Sequence, residues 1–210
     1  MISGPLLVGF IAAALVVLVI PGPGVLYIVA RSVSQGRRAG LASVVGLAVG
    51  ALVHVVAATT GLSALLLASA TAFSVVKALG AGYLIYLGLK MLLSKQPVIQ
   101  VGTVPPVPVA RLFTDGVVIS VFNPKIALFF LAFLPQFIDP SLGNAPQQIL
   151  LLGLIYVGLA LLSDGAYALL AGTVGHWLGG RVMQGPWPRY VCGSLYLGLG
   201  VNAALTGRRG

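Results

Sequence analysis

Asp164, Lys125 and His54 are ionisable side chains set in stretches where almost every neighbour is apolar. Asp164 is the only charged residue between Pro140 and Gly180. A carboxyl in such a setting can carry a proton or hold a substrate ammonium, and its short side chain cannot reach far toward water. Lys125 can pair with a carboxylate, or it can snorkel to the membrane surface. His54 can lie on a pathway, or it can be a core histidine bonded to a carbonyl. Near these groups the backbone itself is interrupted twice, at Ile20-Pro21-Gly22-Pro23-Gly24 and at Val121-Phe122-Asn123-Pro124-Lys125. Proline removes its own N–H and blocks the bond one turn back, and glycine lets a ligand or a neighbouring backbone approach closely. In lipid each freed polar group costs several kcal/mol unless something satisfies it. One such break reads as a packing kink. Two breaks at matching positions point to a polar site at the bilayer centre.

Other chemistries find little support. His54, His176 and Cys192 have no metal-ligand spacing, and Ser163-Asp164-Gly165 has no adjacent histidine for hydrolysis. The sequence offers no phosphate-cradling glycine loop and no aromatic-basic surface, so nucleotide and nucleic-acid partners are not expected. No cofactor and no enzymatic activity are expected either. The single cysteine excludes an internal disulfide.

The elements that must position these groups are membrane helices. Of 210 residues, 59% are hydrophobic and 7% charged, against about a quarter charged in soluble domains. No charge occurs from Ile2 to Ala30, and with no cleavage site near residue 20 this stretch is expected to be a retained helix. Ala39 to Val76 is also uncharged; as one helix it would run roughly 57 Å through a core of ~30 Å. It must fold back, with Ser69-Ala70-Thr71 as the expected turn. The expected spans are 4–31, 40–67, 72–94, 112–137, 147–176 and 188–207. The proline-rich stretch Lys95–Arg111 (Pro97, Pro105, Pro106, Pro108) links two three-helix halves, repeat one at about 4–94 and repeat two at about 112–207. The fold class expected is all-α: one polytopic domain, 1–210, of six helices in two inverted three-helix repeats, with the first and fourth helices broken.

Charge sets the orientation. Arg31, Arg37 and Arg38 fall in the first loop, Lys95 and Arg111 beside Lys90 in the third, and Arg181 and Arg189 in the fifth; the second and fourth loops have no basic residue. The odd loops are therefore expected in the cytoplasm and both termini outside, with Arg208 and Arg209 against the rule. The net charge of +9 fits loops facing an anionic leaflet. Lys77 and Lys90 are expected to snorkel, Arg111 and Asp115 to pair at the surface, and Phe133, Phe137, Trp177 and Trp187 to lie in interfacial belts. Ala42, Gly46, Gly50, His54 and Ala58 recur every fourth residue in the second helix, as do Ala160, Asp164, Ala168 and Gly172 in the fifth. Such small-residue stripes allow close helix packing.

Pro21-Gly22-Pro23, followed by Arg31-Ser-Val-Ser-Gln-Gly-Arg-Arg-Ala-Gly40, resembles the first-helix region of the lysine exporter/homoserine–threonine resistance (LysE/RhtB) family. Asn123-Pro124-Lys125 with Leu128-Phe-Phe-Leu-Ala-Phe-Leu-Pro-Gln-Phe137 is similar to its fourth-helix signature. The likeness runs from about residue 5 to 205. It implies an inner-membrane amino-acid exporter of bacteria, driven by protons. Pro21, Gly22, Pro23, Asn123, Pro124 and Lys125 are the motif positions, and Asp164 is the fifth-helix acid. Gly24 departs from the pattern, since members often have Asn or Asp there, so the likeness carries no substrate preference. The expected substrates are homoserine-, threonine- or lysine-type amino acids, and a homo-oligomer is compatible with the sequence. The expected roles are substrate binding at the two breaks (Gly24 included), proton coupling or ammonium binding at Asp164, and a place on the pathway for His54. The competing expectation is a small-cation exporter or channel using the same breaks.

Overall fold

The computed structural model describes residues 2–69, 105–142 and 144–178, and single residues between 71 and 93 and between 190 and 204. Among these, every regular element is helical. Two helices are long and apolar enough to cross a membrane, and two bent helix pairs raise the number to four if each pair is one span. Among the described residues the chain therefore has the makings of a multi-pass membrane protein. Most of the expected third and sixth spans, the linker from 95 to 104, Lys77 and Trp187 lie outside the described residues, as does the side chain of Trp177.

The first broken span consists of α1 (Gly4–Val19) and α2 (Pro23–Gln35), bent by 53°. The interruption falls before each proline. Ile20 and Gly22, the residues preceding Pro21 and Pro23, are both extended, because the ring excludes the helical region for its predecessor. Pro23 then opens α2, where a missing N–H costs nothing. Gly36 ends α2 at φ 83°, a left-handed conformation suited to glycine, and donates its N–H to Ser32 O at 2.9 Å. The chain reverses there into α3 (Arg37–Ala68). The helix stops at the expected turn: Ser69 is already outside it.

The second broken span repeats this plan. Pro105 to Pro108 is not helical, and α4 (Val109–Val121) begins three residues before the expected start. It is bent by 43° against the segment Pro124–Phe137. That segment is α5 (Pro124–Leu128), a π turn (Phe129–Phe133) and a 3₁₀ turn (Leu134–Phe137). Asn123 is extended and caps α5 by accepting the Lys125 N–H on Oδ1 at 3.0 Å; Pro124 opens the helix. A further 3₁₀ turn, Pro140–Leu142, leads toward α6 (Ala145–Leu178), which contains the expected fifth span and exceeds it by two residues at each end. In the turn, Ser141 Oγ and N donate to Asp139 Oδ1 at 2.6 and 2.9 Å and hold that carboxyl below its usual range.

Packing follows the small-residue stripes. α3 lies chiefly against α4 and α6. A Cβ on Gly46 would be 2.2 Å from Phe113 O, and one on Gly116 would be 2.8 Å from Ser43 O, so α3 and α4 meet backbone to backbone. The core collects Phe10, Phe129, Phe130, Phe133 and Tyr156, with Phe129 stacked on Tyr156 at 4.4 Å between ring centroids. This corrects the interfacial placement of Phe133. Phe133 is 2% exposed, and Phe137 packs on it and on Phe10; the π turn swings consecutive aromatics inward. Arg111 and Asp115 form the expected surface pair at 3.8 Å.

Both ends of the second broken span are held by glutamines. Gln35 Nε2 donates to Val107 O at 2.9 Å while its Oε1 accepts from Val107 N at 3.1 Å. At the other end Gln148, itself buried, donates to Asp139 O at 2.8 Å and accepts from Asp139 N at 3.0 Å. Each side-chain amide thus pairs with one backbone residue as a neighbouring strand would. Arg31, stacked over Tyr27, adds a bond to Pro105 O at 2.8 Å.

Candidate functional site

The two breaks meet. Lys125 Nζ donates to Ile20 O at 2.6 Å, so a lysine in the first turn after one break satisfies a carbonyl left free by the other. Tyr167 of α6 donates its hydroxyl to Val19 O at 2.8 Å and satisfies a second one. At the other break, His54 Nε2 lies 3.0 Å from Ser120 O. A carbonyl can only accept, so this nitrogen carries the proton and donates. Side chains from three elements thereby offset the cost of interrupting hydrogen-bonded backbone among apolar groups.

Around this junction is a cavity of about 40 Å³. Its polar lining includes Asn123, Lys125 and Asp164; Leu18, Val25, Leu47, Ile126, Tyr156 and Leu161 contribute much of the apolar wall. A space of that size holds water, not an amino acid. Glycine makes the close approach possible. A Cβ at Gly22 would lie 3.1 Å from Lys125 Cδ, and one at Gly24 would lie 3.1 Å from Leu47 Cδ2 and 3.9 Å from Asn123 Nδ2. A larger residue at either position would push α2 off α3 or crowd the lysine stem.

The sequence-derived candidates separate into three groups. Gly22, Gly24, Asn123, Lys125 and Asp164 converge on the cavity. Pro21, Pro23 and Pro124 shape the backbone without lining it. His54 is away from the lining, stacked on Phe130 at 6.2 Å with the rings 15° from parallel, and bonded to the Ser120 carbonyl. Two site residues escaped the sequence reading. Tyr167 follows Asp164 by one helical turn and Tyr156 precedes it by about two, so an i+3/i−8 pattern around the lone acid was the available signal. The freed carbonyls also differ from expectation in one respect: those of Val19 and Ile20 already have protein donors.

Residues 15–207 match the family of LysE type translocators. The chain is 31% identical over 195 residues to an uncharacterized membrane protein of Vibrio cholerae serotype O1, covering 93% of this chain and 94% of that protein. It is 28% identical over 201 residues to a leucine efflux protein of Salmonella typhimurium, covering 93% and 92% of the two chains. A homoserine/homoserine lactone efflux protein of the same organism is 32% identical over 162 residues, 76% of this chain and 77% of its own length. No solved structure matches the chain. A family match across residues 15–207, most of the sequence, means that the chain belongs to the LysE type translocators, which are transporters and not enzymes.

Proposed function

We propose that this protein is a bacterial inner-membrane secondary transporter that exports amino acids or close derivatives in exchange for protons. In this reading two inverted three-helix repeats rock against each other around the junction of the broken spans. The observation that carries it is the meeting of both breaks, through Lys125 and Ile20, beside Asp164. A zwitterion needs one donor and one acceptor region. Lys125 and the start of α2, whose dipole favours negative charge, suit the carboxylate. The break carbonyls and Asp164 suit the ammonium. The mostly apolar wall suits an uncharged side chain, in keeping with the leucine and homoserine named for two relatives. Asp164 is the proton carrier in this scheme, taking up a proton outside and releasing it inside as substrate leaves. The cytoplasmic loops and both outer termini follow from the basic residues in the odd loops.

The test is reconstitution. Proteoliposomes loaded with labelled L-leucine or L-homoserine should release the label faster when a pH gradient is imposed, and should not release labelled monovalent or divalent cations. Cation release without amino-acid release would replace this reading with a cation exporter.

A further inference from the structure

Tyr27, Arg31 and Gln35 recur every fourth residue along α2 and so share one face of it. Each is bonded to the start of the second broken span. Tyr27 donates to Leu112 O at 3.1 Å and Arg31 to Pro105 O at 2.8 Å, while Gln35 grips Val107 at 2.9 and 3.1 Å. Elsewhere α2 packs mainly on α3 and α6, and much less on α4. The seam between α2 and α4 is therefore held by polar bonds, unlike the glycine-lined seam between α3 and α4. The segment that receives these bonds is stiff, because the rings of Pro105, Pro106 and Pro108 each fix φ. Those prolines have no N–H, so Val107 is the single backbone donor of the four residues, and Gln35 takes it.

We propose that Tyr27, Arg31, Gln35 and the segment Pro105–Pro108 form a latch, whose release opens a path from the basic end of the molecule to the cavity. The two helices run antiparallel there. Passing along α2 from Gly24, at the cavity, to Tyr27 and then Gln35, the partners step back from Leu112 to Val107. Ile28 and Leu112 are fully buried, so the seam is sealed at their level while the bonds hold. Arg31, Arg37, Arg38 and Arg111 mark the end to which it leads. Pro105, Pro106 and Pro108 are exposed and Gln35 is half-exposed, so water can take over each bond as it parts. A stiff segment also leaves and rejoins α2 with little change in backbone freedom. The other way out of the junction is different. It is filled by Phe10, Phe129, Phe133 and Tyr156, whose separation would wet apolar surface. The latch side is thus the easier side to open, and the aromatic side stays shut while it does.

The latch rests on the transporter reading, but thiol labelling reports on it whatever the cargo. With Cys192→Ser as background, Ala48→Cys places one thiol in the cavity lining. Its reaction with a charged, membrane-impermeant maleimide is timed in right-side-out and inside-out vesicles. Arg38→Cys, exposed at the basic end, identifies that side in the same assay. Gln35→Leu and Arg31→Leu should each speed labelling of Ala48→Cys from the basic side by about fivefold, the weight of one hydrogen bond. Labelling from the opposite side should not rise. If the leucine variants do not accumulate, Gln35→Asn, one methylene shorter, breaks the same grip with the amide kept. In proteoliposomes, joining Gln35→Cys to Val107→Cys with a short reducible cross-linker should stop export of labelled L-leucine until reductant is added. Unchanged labelling from the basic side, faster labelling from the opposite side, or undiminished export through the cross-linked pair overturns the latch and leaves amino-acid export intact. Failure of the intact protein to move leucine or homoserine overturns the exporter reading, and the labelling rates still decide the latch.

Discussion

Gly50→Ala is the substitution whose consequence can be worked most directly from the packing. A Cβ at this position would sit 2.5 Å from Ser120 Cβ, 2.6 Å from Val117 O and 2.9 Å from Ser120 Oγ. Carbon atoms in good contact are about 3.5–4.0 Å apart, so Ser120 must retreat by roughly 1 Å or more from that value. Its carbonyl would then be about 4 Å from His54 Nε2, beyond hydrogen-bonding range, where it is now 3.0 Å away. Overpacking costs about 1–3 kcal/mol and the broken bond about 1 kcal/mol. Replacing glycine within a helix returns about 1 kcal/mol. The net expectation is destabilisation by about 1–3 kcal/mol. Gly61→Ala is the control: it lies in the same helix, gains the same propensity, and its Cβ would have nothing within 4 Å among the described residues. Unfolding of the two variants in detergent should therefore move in opposite directions. Initial efflux per folded molecule should fall for Gly50→Ala by up to about a hundredfold, the effect of an ångström-scale displacement in a preorganised site, because Ser120 is one turn before the Asn123 cap. Equal stability and equal efflux for the two variants would refute the idea that this glycine sets the position of the second break.

Asp164→Asn preserves size and removes proton carriage, so net efflux driven by a pH gradient should disappear while substrate exchange survives. Loss of both in one preparation would assign the acid to substrate binding instead, and unaltered rates in both would leave it a packing residue. Pro124→Ala removes the restriction that keeps Asn123 extended, so the helix should run on through the break. Efflux should fall by at least about tenfold if closing the break removes a charge-assisted contact, with protein still present in the membrane; full efflux would reduce the proline to a kink. A reporter active only outside the cell should work when fused after Gly143 and fail after Val101, and the opposite pattern would invert the topology.

What the sequence made legible follows from which forces are local. Proline acts on its own residue and its predecessor, so both interruptions could be placed to within a residue or two. The structure refines them by setting Pro23 and Pro124 at the first position of a new helix instead of inside an old one. Charge and hydropathy marked α3 and α6, whose ends overshoot the expected spans by one to three residues. The small-residue stripes were visible too, and Gly46 and Gly50 do bring α3 onto α4. Long-range pairing was not visible. Nothing local to Lys125 identifies a carbonyl 105 residues away as its partner, and nothing near Tyr167 announces Val19. Phe133 was misplaced for a related reason: an aromatic near a helix end fits an interfacial belt or a core equally well until the turn that contains it is known, and here that is a π turn with Phe133 buried at its end.

The two glutamine grips make the second broken span resemble a jointed beam pinned at both ends. Val107 is fixed two residues before α4 and Asp139 two residues after the 3₁₀ turn. Translation of the whole span is opposed at both ends, so a change in its shape is taken up chiefly at the joint between Val121 and Pro124. With arms of roughly 20 Å, from thirteen or so residues at ~1.5 Å each, the present 43° bend already sets the joint several ångströms off the line between the pins. A further ten degrees would carry it sideways by roughly 1.5 Å while drawing the pins together by a similar amount. Such a linkage turns slack at its two ends into lateral travel at the joint, and Lys125 stands beside that joint.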